Sequence, residues 1–90
     1  MNTTESLIDR LIKGKISIWC DTKKKAQRVI DGFHAKGMKG SFSVEDYGAS
    51  LAPCSFGLKA GEIYFDGDRG FFQEFRSQPV IDFPSKPPTH

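Results

Sequence analysis

The sequence predicts a single α+β domain: a small, mainly antiparallel sheet of four or five strands with two helices packed on one face, in the order α-β-α-(β)-loop-β-β-β. Three observations carry this prediction. Two stretches within residues 1–40 place apolar side chains at helical spacing, and residues 15–20 between them alternate as a strand does. From Phe56 onward, aromatic and β-branched residues gather in short runs separated by glycine-containing turns. One sheet covered by two amphipathic helices is the simplest way to bury these faces together. Residues 1–83 form the expected domain, and residues 84–90, PSKPPTH, read as a Pro-rich flexible tail.

The first helix is expected to start at a cap from Thr3 or Thr4, with Glu5 in its first turn. Leu7, Ile8, Leu11 and Ile12 make one apolar stripe, and Gly14 suits the position just past the helix end. In the strand that follows, Ile16, Ile18 and Cys20 share a face while Trp19 takes the other. Either both faces of the sheet are covered or the indole is partly exposed. Asp21 or Thr22 caps a second helix running to about Lys36, with Ala26, Val29, Ile30 and Phe33 on its inner stripe.

Lys23, Lys24 and Lys25 open that helix, where the dipole favours acids rather than bases. They do not converge on one side. Lys24 and Arg28 stand opposite the apolar stripe, and the others fan out along its flanks. After the Gly37 stop, residues 41–44 alternate weakly, with Phe42 and Val44 on one face, and read as a short strand. Residues 45–55 read as an irregular loop with a helical turn around residues 47–51, a candidate binding edge.

Two strands, residues 56–58 and 62–66, are joined through Lys59, Ala60 and Gly61. A second hairpin at Gly67-Asp68 would set Asp66 against Arg69, Tyr64 against Phe71 and Ile63 against Phe72. Residues 79–83 read as a short edge strand. The return from the second helix to the sheet forms one β-α-β unit, right-handed if its strands are parallel.

Composition narrows the function classes. The formal net charge is +2, with nine basic and four acidic residues in 1–40 against four basic and seven acidic in 41–90. Such a chain is polar from end to end rather than uniformly basic, which argues against a dedicated nucleic-acid binder. No stretch spans a bilayer, and the first residues do not read as a signal peptide, so the expected compartment is the cytoplasm. Two cysteines make no disulfide framework and lack metal-ligand spacing. Cys20 closes a strand and is expected to be buried; Cys54 follows Pro53 in a loop region, where it can be exposed.

Catalytic and ligand motifs are weak. Asp66, Asp68 and Gly70 form D-x-D-x-G, a fragment of a calcium loop that a hairpin turn explains better. His34 has only Asp31 near it on the helix and no nucleophile placed beside it, so it reads as a flank histidine. The glycines lie at turns and show no phosphate-wrapping spacing. No metal and no cofactor are implied. The hairpin's rings exceed what one small face can hide, and exposed rings among mixed charges describe a protein-binding patch.

Residues 15–40, KISIWCDTKKKAQRVIDGFHAKGMKG, resemble the opening of small phage-encoded β-α-β proteins of unknown function. The resemblance implies no enzyme and no ligand; small phage proteins of this size often bind and disable a host or defence component. The expected function is therefore that of a non-enzymatic binding protein that inhibits or modulates such a partner. Lys24, Arg28, Tyr47, Tyr64 and Phe71 are the expected partner-binding residues, the two bases serving an acidic partner. The rival is a weak nucleic-acid-binding accessory protein using the basic half, and a homodimer through the last strand is a further expectation.

Overall fold

Both expected helices form, and each stops on a glycine for the same local reason. In a computed structural model describing residues 3–83, α1 (Thr3–Ile12) buries Leu7, Ile8 and Leu11, with Ile12 half-buried. Just past its end, the N–H of Gly14 bonds Leu11 O and the N–H of Lys15 bonds Arg10 O, while Gly14 adopts φ +74°. These are the paired bonds of a Schellman stop, which needs a left-handed residue. In α2 (Lys23–Ala35) Ala26, Val29, Ile30 and Phe33 are buried, and Thr22 caps it by accepting from Lys25 N at 3.2 Å. Gly37, at φ +80°, repeats the stop with bonds from Gly37 N to His34 O and from Met38 N to Phe33 O. The helices approach closely where Gly32 meets Ile8, and Lys36 pairs with Asp9 at 2.9 Å. The capping expected of Thr3 or Thr4 and the tail 84–90 lie outside the described residues and side chains.

Among the described residues the sheet has four strands in the spatial order β3-β2-β1-β4: β1 (Ser17–Cys20), β2 (Cys54–Lys59), β3 (Glu62–Asp66) and β4 (Val80–Asp82). β1 pairs antiparallel with β2, β2 antiparallel with β3, and β1 parallel with β4. The class is α+β with a mixed sheet. Residues 79–83 do supply an edge strand. The hairpin through Lys59, Ala60 and Gly61 also forms, its two-residue loop holding Ala60 at φ +51° and Gly61 at φ +80°. Positive φ at both loop positions is the backbone of a type I′ turn, whose twist matches the flanking strands.

Three parts of the predicted order are replaced. Residues 41–44 do not form a strand: Ser41 caps α3 (Phe42–Tyr47), accepting from Val44 N at 3.4 Å. Strand-like pairing falls just before it, where Ile63 N bonds Lys39 O and Ser41 N bonds Ile63 O. The helical turn expected around residues 47–51 does form, as a 3-10 turn (Gly48–Leu51) after α3, while residues 45–47 belong to α3 rather than to a loop.

Second, the hairpin at Gly67-Asp68 is absent. Residues beyond β3 form α4 (Phe71–Arg76), and the pairings of Tyr64 with Phe71 and Ile63 with Phe72 give way to helical packing. Arg69 pairs with Asp82 instead of Asp66, through Nη2 at 2.9 Å. Third, β1 and β2 are antiparallel, so α2 does not lie in a parallel β-α-β unit. The parallel crossover runs from β3 through α4 to β4.

The core lies on one face of the sheet. Ile18, Cys20, Cys54, Phe56 and Ile63 meet Leu7, Ile8 and Leu11 of α1, Val29 and Phe33 of α2, and Val44 of α3. The opposite face is covered in part by α4. Gly57 alternates with Phe56, and a Cβ added at Gly57 would lie 2.4 Å from Phe72 Cδ1, so the Phe72 ring rests on bare backbone there. Trp19 takes this second face and is half-buried, which leaves the indole partly exposed. Ser17 shares that face and donates its hydroxyl to Gln78 O just after α4.

Candidate functional site

Helix periodicity puts Lys24 and Arg28 one turn apart on the outer side of α2, both exposed. Arg28 places its guanidinium 5.4 Å from the ring centroid of Phe83, just after the edge strand, a cation–π contact across the fold. Lys25 is held by Asp21 at 2.7 Å; the Lys25 hydrogen bond keeps that exposed carboxyl below the usual aspartate range. Three basic side chains on or just after α2 are thus drawn to different neighbours. Lys25 turns to the helix start, Arg28 to Phe83, and Lys36 to Asp9 on α1.

The aromatic candidates occupy two short helices and a strand. Tyr47 closes α3 and is 61 % exposed. Tyr64 lies opposite Gly57 on the face that carries α4, half-buried, with Lys59 Nζ 5.1 Å from its ring centroid. Phe71, the first residue of α4, is half-buried and packs on Phe72 edge-on at 5.2 Å and on Phe75 at 5.1 Å. The sheet divides the five candidates. Lys24, Arg28 and Tyr47 belong to elements on the core side, whereas Tyr64 and Phe71 lie on the α4 side.

Two rings stand out that the site prediction omitted. Phe42 is 78 % exposed and Phe75 is 66 % exposed. Phe42 is the first residue of α3, a position that its strand reading disguised; Ser41 as a cap was the available signal. Phe75 follows Phe71 by four residues, a helical spacing that puts both on one side of α4.

His34 also has a partner that helix spacing could not reveal. Its Nε2 lies 2.7 Å from Glu45 Oε2, and the same oxygen accepts from Gly40 N at 2.7 Å. The turn after α2 brings α3 back beside it. The His34 bond first, and the Gly40 N–H second, hold the Glu45 carboxyl below the usual glutamate range. This carboxylate staples the end of α2 to the start of α3.

The D-x-D-x-G carboxylates serve the backbone of a strand-to-helix turn rather than a hairpin. Asp66 Oδ1 accepts from Asp68 N at 2.8 Å, and Asp68 Oδ1 accepts from Gly70 N at 3.0 Å. Beneath them the Ser55 hydroxyl lies 3.2 Å from both Asp66 O and Asp68 O. Among the described residues no group of three or more histidines, cysteines or acids is placed to hold a metal ion. No helix among them is long and apolar enough to cross a membrane. Comparison with protein-family models, with curated proteins and with solved structures finds no match to this chain.

Proposed function

We propose that this chain is a non-enzymatic protein-binding domain that presents aromatic side chains from its two short helices to a partner. The single observation behind this reading is the placement of Phe42, Tyr47 and Phe75. All three large exposed apolar residues among the described ones lie on α3 and α4. Each of these six-residue helices is anchored by one buried side chain, Val44 or Phe72. Anchored rings of this kind bury much area at low conformational cost, which is why aromatics dominate interface energetics. Phe71 supports Phe75 from below, and Lys24 and Arg28 favour an acidic partner by steering its approach.

The resemblance of residues 15–40 to phage-encoded proteins supplies the partner class: a host or defence protein in the host cytoplasm, inhibited or modulated by the complex. The test is capture from host lysate by the intact chain and by Phe42→Ser, Tyr47→Ser and Phe75→Ser variants that retain the native circular dichroism. One retained protein, lost or weakened about tenfold or more by at least one substitution, is the expected result. Equal retention by all three variants removes the rings of both short helices as partner contacts. Retention of nucleic acid, falling steeply with salt and indifferent to the ring substitutions, would establish the rival function instead.

A further inference from the structure

Cys20 and Cys54 stand directly opposite each other across β1 and β2. Ser17 N bonds Pro79 O and Trp19 O accepts from Phe83 N, so residues 17 and 19 direct their backbone groups to β4. Residues 18 and 20 therefore direct theirs to β2, which makes Cys20 and Cys54 a hydrogen-bonded cross-strand pair. In such a pair the Cα atoms lie about 5.5 Å apart, within the range that a disulfide bridges.

Both side chains point to the core face, both are wholly buried, and both are free thiols. The chain has only these two cysteines, so each is the other's sole intrachain partner. Burial pushes the Cys54 thiol up to about 12 and the Cys20 thiol higher still, with Cys54 beside it adding to the shift. Thiolate is the attacking species, so the packed pair is unreactive. Its position changes that: Cys20 is the last residue of β1 and Cys54 the first of β2. Strand ends take part in local openings that cost less than global unfolding, and the two cysteines share one such end.

We propose that Cys20 and Cys54 form a reversible intrachain disulfide site that closes by exchange with a low-molecular-weight disulfide. One cysteine, deprotonated on opening, attacks a sulfur of the small disulfide and expels one small thiolate, which takes up the proton. The second cysteine then attacks the protein sulfur of this mixed disulfide and expels the other small thiolate in the same way. Two protein thiols and one small disulfide become one protein disulfide and two small thiols. The closed bridge ties together the two ends of the segment that holds α2, α3 and the 3-10 turn.

The experiment treats the intact chain in native buffer with excess oxidised glutathione, then reads intact mass, peptide linkage and thermal unfolding. The expected product is a monomer lighter by two hydrogens, with the Cys20 and Cys54 peptides joined and the circular dichroism unchanged. Its Tm rises by about 10–20 °C and returns on addition of dithiothreitol. A Cys54→Ala chain stops at a single glutathione adduct on Cys20; the wild-type product decides the matter even if that variant fails to fold. Adducts on both cysteines, disulfide-linked dimers, or a linked chain that has lost its circular dichroism would overturn the proposal. So would closure no faster than global unfolding, because the pair would then be reachable only in the unfolded chain.

Discussion

Gly57 shows how much of this fold is decided by one missing methyl group. The ideal Cβ position there lies 2.4 Å and 2.5 Å from Phe72 ring carbons and 2.7 Å from Gln78 Oε1. Neither neighbour can retreat easily. Phe72 anchors α4, and Gln78 is buried with its Nε2 donating to Leu58 O at 2.8 Å. Among the described residues Gln78 Oε1 is buried with no hydrogen-bond partner. Gly57→Ala is expected to destabilise the domain by about 1–3 kcal/mol through this overpacking. Urea denaturation measures the cost, and an unchanged midpoint would mean that α4 does not rest where described. Glu45 is the second decisive residue. Its folded value is depressed below the ordinary 4.5, so the stability it supplies is present above that value and is lost as pH falls through the folded one. The staple is exposed and screened by solvent, which keeps the effect under about 1 kcal/mol. Glu45→Gln keeps an acceptor for Gly40 N but loses the charge. The Tm gap between the two chains should close as pH falls below 4.5, and parallel profiles would refute the staple.

At the scale of elements, local signals and long-range packing part company. The cap expected at Asp21 or Thr22, which falls to Thr22, and the stops at Gly14 and Gly37 are legible because a cap and a glycine stop act within a few residues of themselves. The run from Phe71 to Phe75 is misread for a physical reason. Phe71 and Phe72 match cross-strand partners on a hairpin as well as they match one turn of helix, and a six-residue helix has too few turns for its period to show. Phe72 meeting Gly57 settles the choice, and that contact joins positions the spacing alone does not connect. Likewise the Phe42 and Val44 alternation is outweighed by the Ser41 cap. The β2–β3 turn offers a prediction at this scale. Ala60 sits at φ +51°, where a side chain with a Cβ is strained and asparagine is better tolerated. Ala60→Asn creates an Asn-Gly loop that suits a type I′ turn, and is expected to add about 0.5–1 kcal/mol of stability. A melting curve at or below that of the parent chain would count against that turn geometry.

For the whole molecule, the sequence discloses class and cover better than connectivity. Two amphipathic helices and an alternating strand are enough to announce an α+β domain with a helix-covered core. They are not enough to show that the last strand crosses over to lie beside the first, because the parallel pairing of Ser17 with Val80 leaves no local trace. The same blindness hid the Cys20–Cys54 pair and separated the expected binding residues onto two sides of a sheet. The placement of β1 has a consequence for the chain as it is made. This strand is flanked only by segments that emerge much later from the ribosome, first residues 54–59 and finally residues 80–82. During translation, α1 and α2 leave the exit tunnel with the inner faces of both helices facing a strand that has no neighbours. The nascent chain must keep that greasy half-assembly out of trouble until its final stretch arrives to close the last gap.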